Sequence, residues 1–352
     1  MNTKLSLILS FIPYLLIVSC KPNKEPFKIA FGSCGSQDHP LPIFNRVVAH
    51  QPDVFVFLGD NIYGDTKDMD ILRLKYNQLA AKPSYQNLKE NVEIIATWDD
   101  HDFGWNDSGR YYEFKEESKE IFLDFFEEPK NSIRRTHQGI YHSYEYDHQG
   151  KIIQIILLDG RTFRDDLKPY EGEFDEDSRY FYELEYAPHP ITENPTLLGK
   201  EQWKWLENQL EKPADVRIIG SGTQFGIEYN GYEAWANFPN EQQKLLDLIT
   251  KTKADGVLII SGDVHYAEIS KLETPNLYPI YDITSSGLSS TWYFATPNKN
   301  RIEGPIMENH FGLLTIYFND PIPNVKAEIW DIEDNQRIEY TIPLNELIFS
   351  KK

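Results

Sequence analysis

The sequence predicts an α/β fold with one polar site along the edge of a parallel β-sheet. Val54 to Leu58 is a continuous apolar run, which is typical of a strand buried on both faces and therefore of a parallel sheet. The run ends at Gly59-Asp60, where glycine permits a sharp turn and a carboxylate follows the strand directly. Open α/β sheets bind their ligands at this end of the strands. Tyr63 can reach the same point.

Five further apolar segments have the same design, because each ends in side chains that carry chemistry. They are Lys28–Phe31 before Gly32-Ser33-Cys34, Ile94–Thr97 before Trp98 to Asp102, Ile152–Leu158 before Asp159-Gly160-Arg161, Val216–Ile219 before Gly220 to Gln224, and Val257–Ile260 before Ser261 to His265. Ordinary loop sequences would not repeat this arrangement. We therefore predict one site assembled along a single sheet edge.

Composition excludes some functions and permits others. The chain of 352 residues is long enough for one large domain or two ordinary ones. Its net charge of −20 comes from 55 acidic and 35 basic residues, which argues against a nucleic-acid scaffold because such proteins normally present a basic face. An acidic surface suits solubility, which accounts for most of the charge, and also bound cations.

The N-terminus is predicted to be a targeting segment outside the fold. Lys4 precedes an apolar stretch from Leu5 to Val18, and a small residue, Ser19, precedes Cys20, as in secretory signals. Ile17 to Cys20 resembles the lipobox of bacterial lipoproteins, which implies a signal peptide at 1–19, cleavage before Cys20 and a lipid anchor on that cysteine. The alternative is a transmembrane anchor, although the stretch is short for a bilayer span.

Cys34 has no partner if Cys20 carries lipid, since the chain has 2 cysteines. A buried, inert thiol is the usual explanation for a lone cysteine. Cys34, however, follows a strand in the same relative place as Asp60 and Asp263. Thiolates bind transition metals at such positions, so a metal ligand is the favoured interpretation.

The remaining elements follow from periodicity and from helix and turn signals. After a tether at 20–26, one domain is predicted at 27–349, with no second boundary and a β-rich part from about residue 278. Helical spacing is found at 41–51, 113–128, 198–210 and 240–250, and a mixed helix and loop region at 72–88. Pro83 is interpreted as a breaker and Asn240 as a helix cap.

Strand patterns account for most of the other segments. Paired strands are predicted at 141–146 with 151–158, and further strands at 280–284, 312–318, 326–332 and 337–342, the last two as a hairpin. No period is visible between Asp165 and Pro195, an acidic stretch rich in tyrosine and phenylalanine. It is either a lid or rim of a site or a disordered segment.

Four motifs, taken together, resemble one family. They are Phe31 to Cys34, Gly59 to Tyr63, Trp98 to Asp102 with Asn106 close behind, and Ser261 to His265. Their order and spacing resemble the alkaline phosphatase D (PhoD-like) family of metallophosphoesterases, and Leu158 to Arg161 and the start of the helix at Leu198 match too. The likeness runs from about Ile29 to about Phe318.

The resemblance implies a fold and a metal centre. The fold would be a metallophosphatase-type β-sandwich of mixed sheets flanked by helices, with the metals at the carboxyl ends of the strands. The cofactors would be Fe3+ and Ca2+, other divalent metals being alternatives. The metal ligands would be Cys34, Asp60, Tyr63, Asn106, Asp263 and His265. Thiolate and phenolate suit a trivalent transition metal, and carboxylate and amide oxygens suit calcium.

The same resemblance implies hydrolysis of phosphate monoesters, diesters or both, by a metal-activated water or oxide. His101 could donate to the phosphate or protonate the leaving group, or make only a structural hydrogen bond. Arg161 could clamp phosphate, or form a buried pair with Asp159 or Asp165. Asp99, Asp100 and Asp102 cannot all be ligands, and one is expected to orient His101; Asp100 is kept as a catalytic candidate. Asn61 and Gln224 are weaker candidates for substrate binding.

These interpretations give an exported, lipid-anchored phosphoesterase, periplasmic or on the cell surface, with phosphate esters as its partners. The alternative is a non-catalytic surface lipoprotein that binds phosphate compounds or calcium. Gly64 and Asp65 stand where many family members carry bulkier residues, which predicts a more open rim. The other histidines have no supporting motif and are expected at the surface: His39, His50, His137, His142, His148, His189 and His310.

Overall fold

The computed structural model describes residues 25–172 and 182–349. The predicted signal peptide at 1–19, the lipidation site Cys20 and nearly all of the tether lie outside these ranges. None of the helices within the two ranges is both long enough and apolar enough to span a bilayer.

Two large sheets carry the fold. The first contains β1 (Phe27–Gly32), β2 (Val54–Leu58), β3 (Glu93–Thr97), β13 (His310–Tyr317), β14 (Asn324–Asp331) and β15 (Gln336–Pro343), in the order β15-β14-β13-β1-β2-β3. The second contains β4 (His142–His148), β5 (Lys151–Leu157), β8 (Val216–Ser221), β9 (Val257–Ser261), β10 (Ala267–Leu272), β11 (Ile280–Ser285) and β12 (Arg301–Ile306), in the order β12-β10-β11-β9-β8-β5-β4. A short pair, β6 (Lys168–Pro169) and β7 (Tyr186–Ala187), lies in the unpatterned stretch.

Seven α-helices accompany the sheets within the described ranges. They are α1 (Ile43–Ala49), α2 (Met69–Ala80), α3 (Pro83–Asn91), α4 (Asp100–Phe103), α5 (Lys115–Phe125), α6 (Gly199–Leu210) and α7 (Pro239–Thr252). The predicted mixed α/β architecture, with sheets flanked by helices, is confirmed.

The prediction of a single sheet edge was wrong. The six strands that end in polar residues divide equally, with β1, β2 and β3 in one sheet and β5, β8 and β9 in the other. Sequence alternation could not separate the two groups, because all six strands are buried on both faces. Pairing is parallel within each group, so each sheet presents three carboxyl ends at one edge.

Strand β2 shows how the layers are filled. Val54, Val56 and Leu58 are fully buried in the cluster that also contains the strands of the second sheet, whereas Phe55 and Phe57 are buried against the helices. Full burial of each such side chain contributes about 1.5–3 kcal/mol as an upper estimate. This burial fixes the strand on both faces and thereby the position of Asp60 at its end.

Two predicted helix signals are corrected. Pro83 does not break a helix but begins α3, where its missing N–H and fixed φ suit the first turn. Asn240 does not cap α7, because it lies one residue inside the helix and Phe238 occupies the cap position. Its side-chain amide instead donates hydrogen bonds to the carbonyls of Ile191 and Glu193, which ties the unpatterned stretch to α7.

Candidate metal centre

The ends of strands from both sheets meet at one point. Cys34 follows β1, Asp60 follows β2 and His265 follows β9, and ligand atoms of these three residues lie within 4.8 Å of one another. Cys34 Sγ lies 3.3 Å from Asp60 Oδ2 and 3.1 Å from the Ser286 hydroxyl. The centre is therefore assembled across the sandwich rather than along one sheet.

The backbone at this point is held in an uncommon conformation. Four of the predicted ligands have positive φ: 58° at Cys34, 49° at Asp60, 75° at Asp263 and 58° at His265. Positive φ in residues other than glycine costs of the order of 1–3 kcal/mol each, and such strain concentrates at functional sites. The strand ends are therefore shaped to point these side chains inward.

Gly59 permits this arrangement. Its φ is +100°, and a Cβ atom at this position would lie 2.5 Å from the backbone nitrogen of Asp99. Any other residue would push the strand end that carries Asp60 away from the one that carries Asp99.

Burial makes the anionic forms of three predicted ligands costly without a cation. It raises the pKa of Cys34, Asp60 and Tyr63 well above their usual values, and the negative charge of Asp60 raises the pKa of Cys34 further. Asp60 Oδ1 and the Tyr63 hydroxyl are buried without a hydrogen-bond partner. A thiol, a carboxyl and a phenol with free lone pairs at one point fit a strongly charged metal ion.

His265 and Asp263 complete this side of the site. His265 Nδ1 lies 2.9 Å from the Ser290 carbonyl and donates to it, which leaves Nε2 as the lone-pair donor for a ligand. The His265 ring stacks on Trp292 at 5.2 Å between centroids. Asp263 is partly exposed, and desolvation of its carboxylate raises its pKa well above the usual value, with Asp99 and Glu233 adding to the rise.

Further carboxylates extend the cluster beyond the predicted ligands. Asp99, Asp100 and Asp263 form one compact group, and Asp100, Asp107 and Glu233 form another. Asp107 and Glu233 were missed by the sequence analysis. Asp107 directly follows Asn106 and belonged to a recognised motif region, whereas Glu233 lies in a loop after β8 that has no motif.

Arg161 does not occupy the position of a phosphate clamp. It is fully buried, and its guanidinium contacts Asp99 Oδ1 at 2.5 Å and Glu233 Oε2 at 2.6 Å. Neither of the predicted pairing partners holds the guanidinium, because Asp159 accepts only its backbone N–H and Asp165 pairs with Arg110. The structure corrects Arg161 from a substrate contact to the counter-ion of two buried carboxylates.

Asp100 is held in the ionised state. Burial raises its pKa, but Arg161 and His101 lower it more, to about 2. Its Oδ2 accepts the backbone N–H of Asp107 at 2.7 Å, and its Oδ1 has no hydrogen-bond partner. A permanently ionised oxygen with a free lone pair suits a metal ligand better than an acid or base.

His101 is oriented by a residue other than the three expected. Its Nδ1 lies 2.8 Å and 2.9 Å from the two carboxylate oxygens of Asp65, and its ring packs on Tyr63 at 4.3 Å. Burial lowers the pKa of His101, but Asp60 and the hydrogen bond to Asp65 raise it, with a net value of about 10. An imidazolium held this way can donate a proton or a hydrogen bond.

Asn61 and Gln224 are placed away from the open part of the site. Both are buried; the Asn61 amide donates to Asp102 and to the Thr97 carbonyl, and the Gln224 amide donates to Glu268 at 2.7 Å. Their predicted role in substrate binding is therefore corrected to a structural one. Asn106 does line the site, with its amide donating to Asp107 Oδ2 at 2.8 Å.

A cleft of about 150 Å³ opens onto this centre. Asp60, Asp100, Asp263, His101 and His265 line its floor and sides together with Asn106. A volume of this size admits a phosphate group together with part of an esterified alcohol. The arrangement can bind cations and place a small phosphate ester beside His101.

Comparisons with known proteins identify the family of this chain. The profile of the PhoD-like phosphatase family matches residues 29–303. Alkaline phosphatase D of Bacillus subtilis (strain 168) is 24% identical over 318 residues, which cover 78% of this chain and 51% of that protein. The chain therefore spans about half the length of this curated relative.

Solved structures show the same fold at lower sequence identity. A structure of PhoD superposes with a TM-score of 0.63 at 17% identity, covering 90% of this chain and 72% of the other. GAP50, described as the anchor in the inner membrane complex of Plasmodium, superposes with a TM-score of 0.54 at 15% identity, covering 94% and 90%. Because the family profile matches well over half of the sequence, this chain belongs to the PhoD-like phosphatase family.

Proposed function

We propose that this protein hydrolyses phosphate esters at a metal centre. The observation that carries the proposal is the meeting of Cys34, Asp60 and His265 within 4.8 Å at the carboxyl ends of strands from two sheets. Membership of the PhoD-like phosphatase family supports the same reaction class. A cleft sized for a phosphate group lies directly over these residues.

The donor set suits a trivalent iron on one side and calcium on the other. Cys34, Tyr63, His265 and Asp60 would hold the iron, and Asp60, Asp263, Asn106 and Asp100 would supply oxygens for calcium. When bound, these metals supply positive charge for the phosphate oxygens and acidify a water molecule.

The chain's own residues contribute proton transfer and orientation. His101 lines the cleft. Asp65 binds its Nδ1, which leaves Nε2 as the ring nitrogen that can contact a substrate. As an imidazolium, His101 donates a proton to the oxygen of the departing alcohol or a hydrogen bond to the phosphate. Arg161 does not contact the cleft but neutralises the carboxylates of Asp99 and Glu233. Its charge also keeps Asp100, which lines the cleft, in the ionised state.

The test is hydrolysis of p-nitrophenyl phosphate and of bis(p-nitrophenyl) phosphate by protein purified without chelator and supplied with calcium. We expect turnover of at least one ester, together with bound iron by elemental analysis. Cys34→Ala should lose at least about 100-fold in turnover, since even residues that merely support metal ligands contribute about 10- to 100-fold.

A matched variant separates loss of chemistry from loss of folding. Ser84→Ala removes a hydroxyl in the first turn of α3, away from the cleft and from every proposed ligand. It should retain most of the activity and the iron. A folded wild-type protein with full metal content and no turnover of either ester would contradict the proposal and favour a non-catalytic protein that binds phosphate compounds or calcium.

We also propose export and anchoring through Cys20. The support is the sequence alone: a basic residue, an apolar segment and a small residue before cysteine. Mass spectrometry of protein from the membrane fraction should show a diacylglyceryl group on Cys20, and Cys20→Ser should release the enzyme from membranes. An unprocessed N-terminus in the wild type would contradict this assignment.

A further inference from the structure

The described lining of the cleft over the metal centre contains two histidines but no lysine or arginine that could bind a second anionic group. The same lining includes six carboxylates. Asp60 and Asp100 line its inner part and carry buried oxygens without hydrogen-bond partners, and bound metals would neutralise these two carboxylates together with that of Asp263. Glu233 is neutralised from behind, because Arg161 and Arg164 both lie within ion-pair distance of it.

Two carboxylates remain toward the outside of the cleft, and they are accompanied by aromatic rings. Asp107 accepts a hydrogen bond of 2.6 Å from the Tyr186 hydroxyl, and Glu185 is exposed beside it in the sequence. Tyr232 lies on the same side, since the backbone N–H groups of Glu185 and Tyr186 both donate to the Gly231 carbonyl. The Tyr232 ring contacts Trp292 at 5.0 Å between centroids, and Trp292 in turn stacks on His265. Both of these rings line the cleft and are partly exposed.

We propose that the cleft selects phosphate esters whose alcohol carries an alkylammonium group, such as a quaternary ammonium. This inference rests on the proposed function and names the substrate class of the same site. The ammonium would lie in the outer part of the cleft, beside Tyr232 and Trp292 and within reach of the carboxylates of Asp107 and Glu185. Aromatic faces and carboxylates are the groups that recognise such cations.

The acidic lining of the cleft also disfavours a class of substrates. An ester with a second phosphate or a carboxylate would bring that anion against Glu185 and Asp107, with no lysine or arginine of the described lining to receive it. Like charges at close range disfavour binding, and the cost is larger where water is partly displaced. Selection therefore acts on the alcohol, because the phosphate is common to every substrate.

The experiment compares esters that differ in charge but not in shape. Choline phosphate and 3,3-dimethylbutyl phosphate have the same size, and the second replaces the quaternary nitrogen with carbon. We expect the metal-loaded wild-type enzyme to have a kcat/KM about fivefold to tenfold higher for choline phosphate. 3-Phosphoglycerate, which carries an additional carboxylate, should be hydrolysed more slowly than both.

Variants test whether the named residues cause the preference. Glu185→Gln and Tyr232→Leu should each lower the ratio for choline phosphate over its neutral analogue by about twofold to fivefold, with little change toward p-nitrophenyl phosphate. Glu211→Gln makes the same charge change at the exposed end of α6, away from the cleft, and should leave the ratio unchanged. Raising the salt concentration should lower the wild-type ratio, since Glu185 is exposed.

The outcomes separate this inference from the function on which it rests. Hydrolysis of p-nitrophenyl phosphate with equal or better use of the neutral analogue, or rapid hydrolysis of 3-phosphoglycerate, would overturn the alkylammonium preference and leave the phosphoesterase standing. A preference that persists unchanged in both Glu185→Gln and Tyr232→Leu would overturn the assignment to this rim. Failure to hydrolyse any of the esters would overturn the proposed function and this inference together.

Discussion

The site contains two groups of buried acids that differ in how their charge is balanced. Asp99 and Glu233 contact the buried Arg161, and Arg164 lies 3.1 Å from Glu233. Asp60 is fully buried and Asp263 partly buried, yet no lysine or arginine of the described residues forms an ion pair with either carboxylate. The fold thus supplies counter-ions for one group and leaves the other without them.

The difference separates carboxylates that are part of the folded framework from carboxylates that are available to bind a ligand. A buried carboxylate is costly unless a partner compensates it, so acids that the fold leaves without a counter-ion are suited to binding a cation from outside. Cys34 and Tyr63 add two more groups whose anions burial disfavours. The arginine-balanced acids form the wall of the site, and the uncompensated ones form its binding surface.

Removing the protein's own counter-ion should have the largest effect. Arg161→Met keeps the length and apolar stem of the side chain but leaves Asp99 and Glu233 buried without their partner. We expect a loss of about 3–5 kcal/mol in the free energy of unfolding, measured by urea denaturation with far-ultraviolet circular dichroism. Arg110→Met removes an exposed ion pair with Asp165 and should cost less than about 1 kcal/mol. Equal losses in the two variants would refute the distinction between the groups.

Removing the charge of an uncompensated acid should not destabilise the metal-free protein, in contrast to the removal of Arg161. Burial raises the pKa of Asp60 above its ordinary value of 3.8, so the metal-free protein keeps the contribution of the neutral carboxyl at low pH and loses it as the pH rises through the raised pKa. Asp60→Asn removes this loss. We expect the metal-free variant to unfold at an equal or higher urea concentration than the metal-free wild type at pH 7.5.

The same variant should fail once metal is supplied. Metal that binds only the folded state stabilises the wild type by mass action, and Asp60→Asn forfeits this gain together with at least about 100-fold in turnover. Thermal scans with calcium and with a chelator, together with iron analysis, check both halves. A metal-free Asp60→Asn protein that is clearly less stable than the wild type would show that the carboxylate serves the fold.

A third buried titratable group, the imidazole of His310, lies next to the metal centre through its contact with Ser286. His310 is fully buried; its Nδ1 donates to the Glu308 carbonyl at 2.7 Å and its Nε2 accepts the Ser286 N–H at 3.1 Å. Burial lowers its pKa from 6.5 to about 4, so its contribution to stability is present above pH 6.5 and is lost as the pH falls toward 4. We expect about 2–3 kcal/mol to be lost across this range.

His310→Gln keeps an acceptor for the Ser286 N–H and cannot titrate, so its stability should depend less on pH between 6.5 and 4. His39→Gln, at an exposed position, should follow the wild-type profile. The comparison is made by urea denaturation at several pH values. Identical pH profiles in all three proteins would assign the acid sensitivity to other groups.

The predictability of this molecule from its sequence follows the same division. Strand ends carry a strong local signal, because apolar runs that stop at Gly-Asp or Ser-Cys combine strand period, turn chemistry and a polar residue. This signal predicts Cys34, Asp60, Asp263 and His265 as site residues, and the structure places Cys34, Asp60 and His265 together. The partition of the strands between two sheets was missed, since residues buried on both faces read the same in either sheet. Arg161 and His310 were misplaced because the sequence does not show what lies opposite a side chain.

Long-range partners are the part that local patterns cannot supply. Glu233 pairs with Arg161, which lies 72 residues earlier in the sequence. The residues around either position contain no pattern that indicates the other. Asp65 was noted only as a residue that would open the rim, although it accepts a hydrogen bond from His101, 36 residues away. Its position at a φ of 42° shows that the chain bends to present it, which no propensity argument indicates.

Asp65 provides the smallest test, because it acts on the site through another residue. We expect Asp65→Asn to lower kcat by about tenfold, since proton donation by His101 depends on the orientation and charge that Asp65 provides. Asparagine tolerates positive φ and retains an acceptor oxygen for His101, so the backbone and the metal ligands should be undisturbed. KM and iron content should therefore stay close to the wild-type values.

Two further variants show whether the loss of kcat in Asp65→Asn comes from the contact with His101. Asp70→Asn makes the same change five residues away at an exposed position in the first turn of α2 and should leave kcat unaltered. Asp65→Ala should lose more than Asp65→Asn, because alanine offers His101 no acceptor at all. A variant in which iron content falls together with kcat would place Asp65 in the support of the metal ligands, through its 3.1 Å contact with the Asn106 N–H, rather than in the orientation of His101. Asp65 would then support metal binding, as Asp60 and Asp263 are proposed to do. The group of acids that act with the metal would in that case include a residue at the outer part of the cleft.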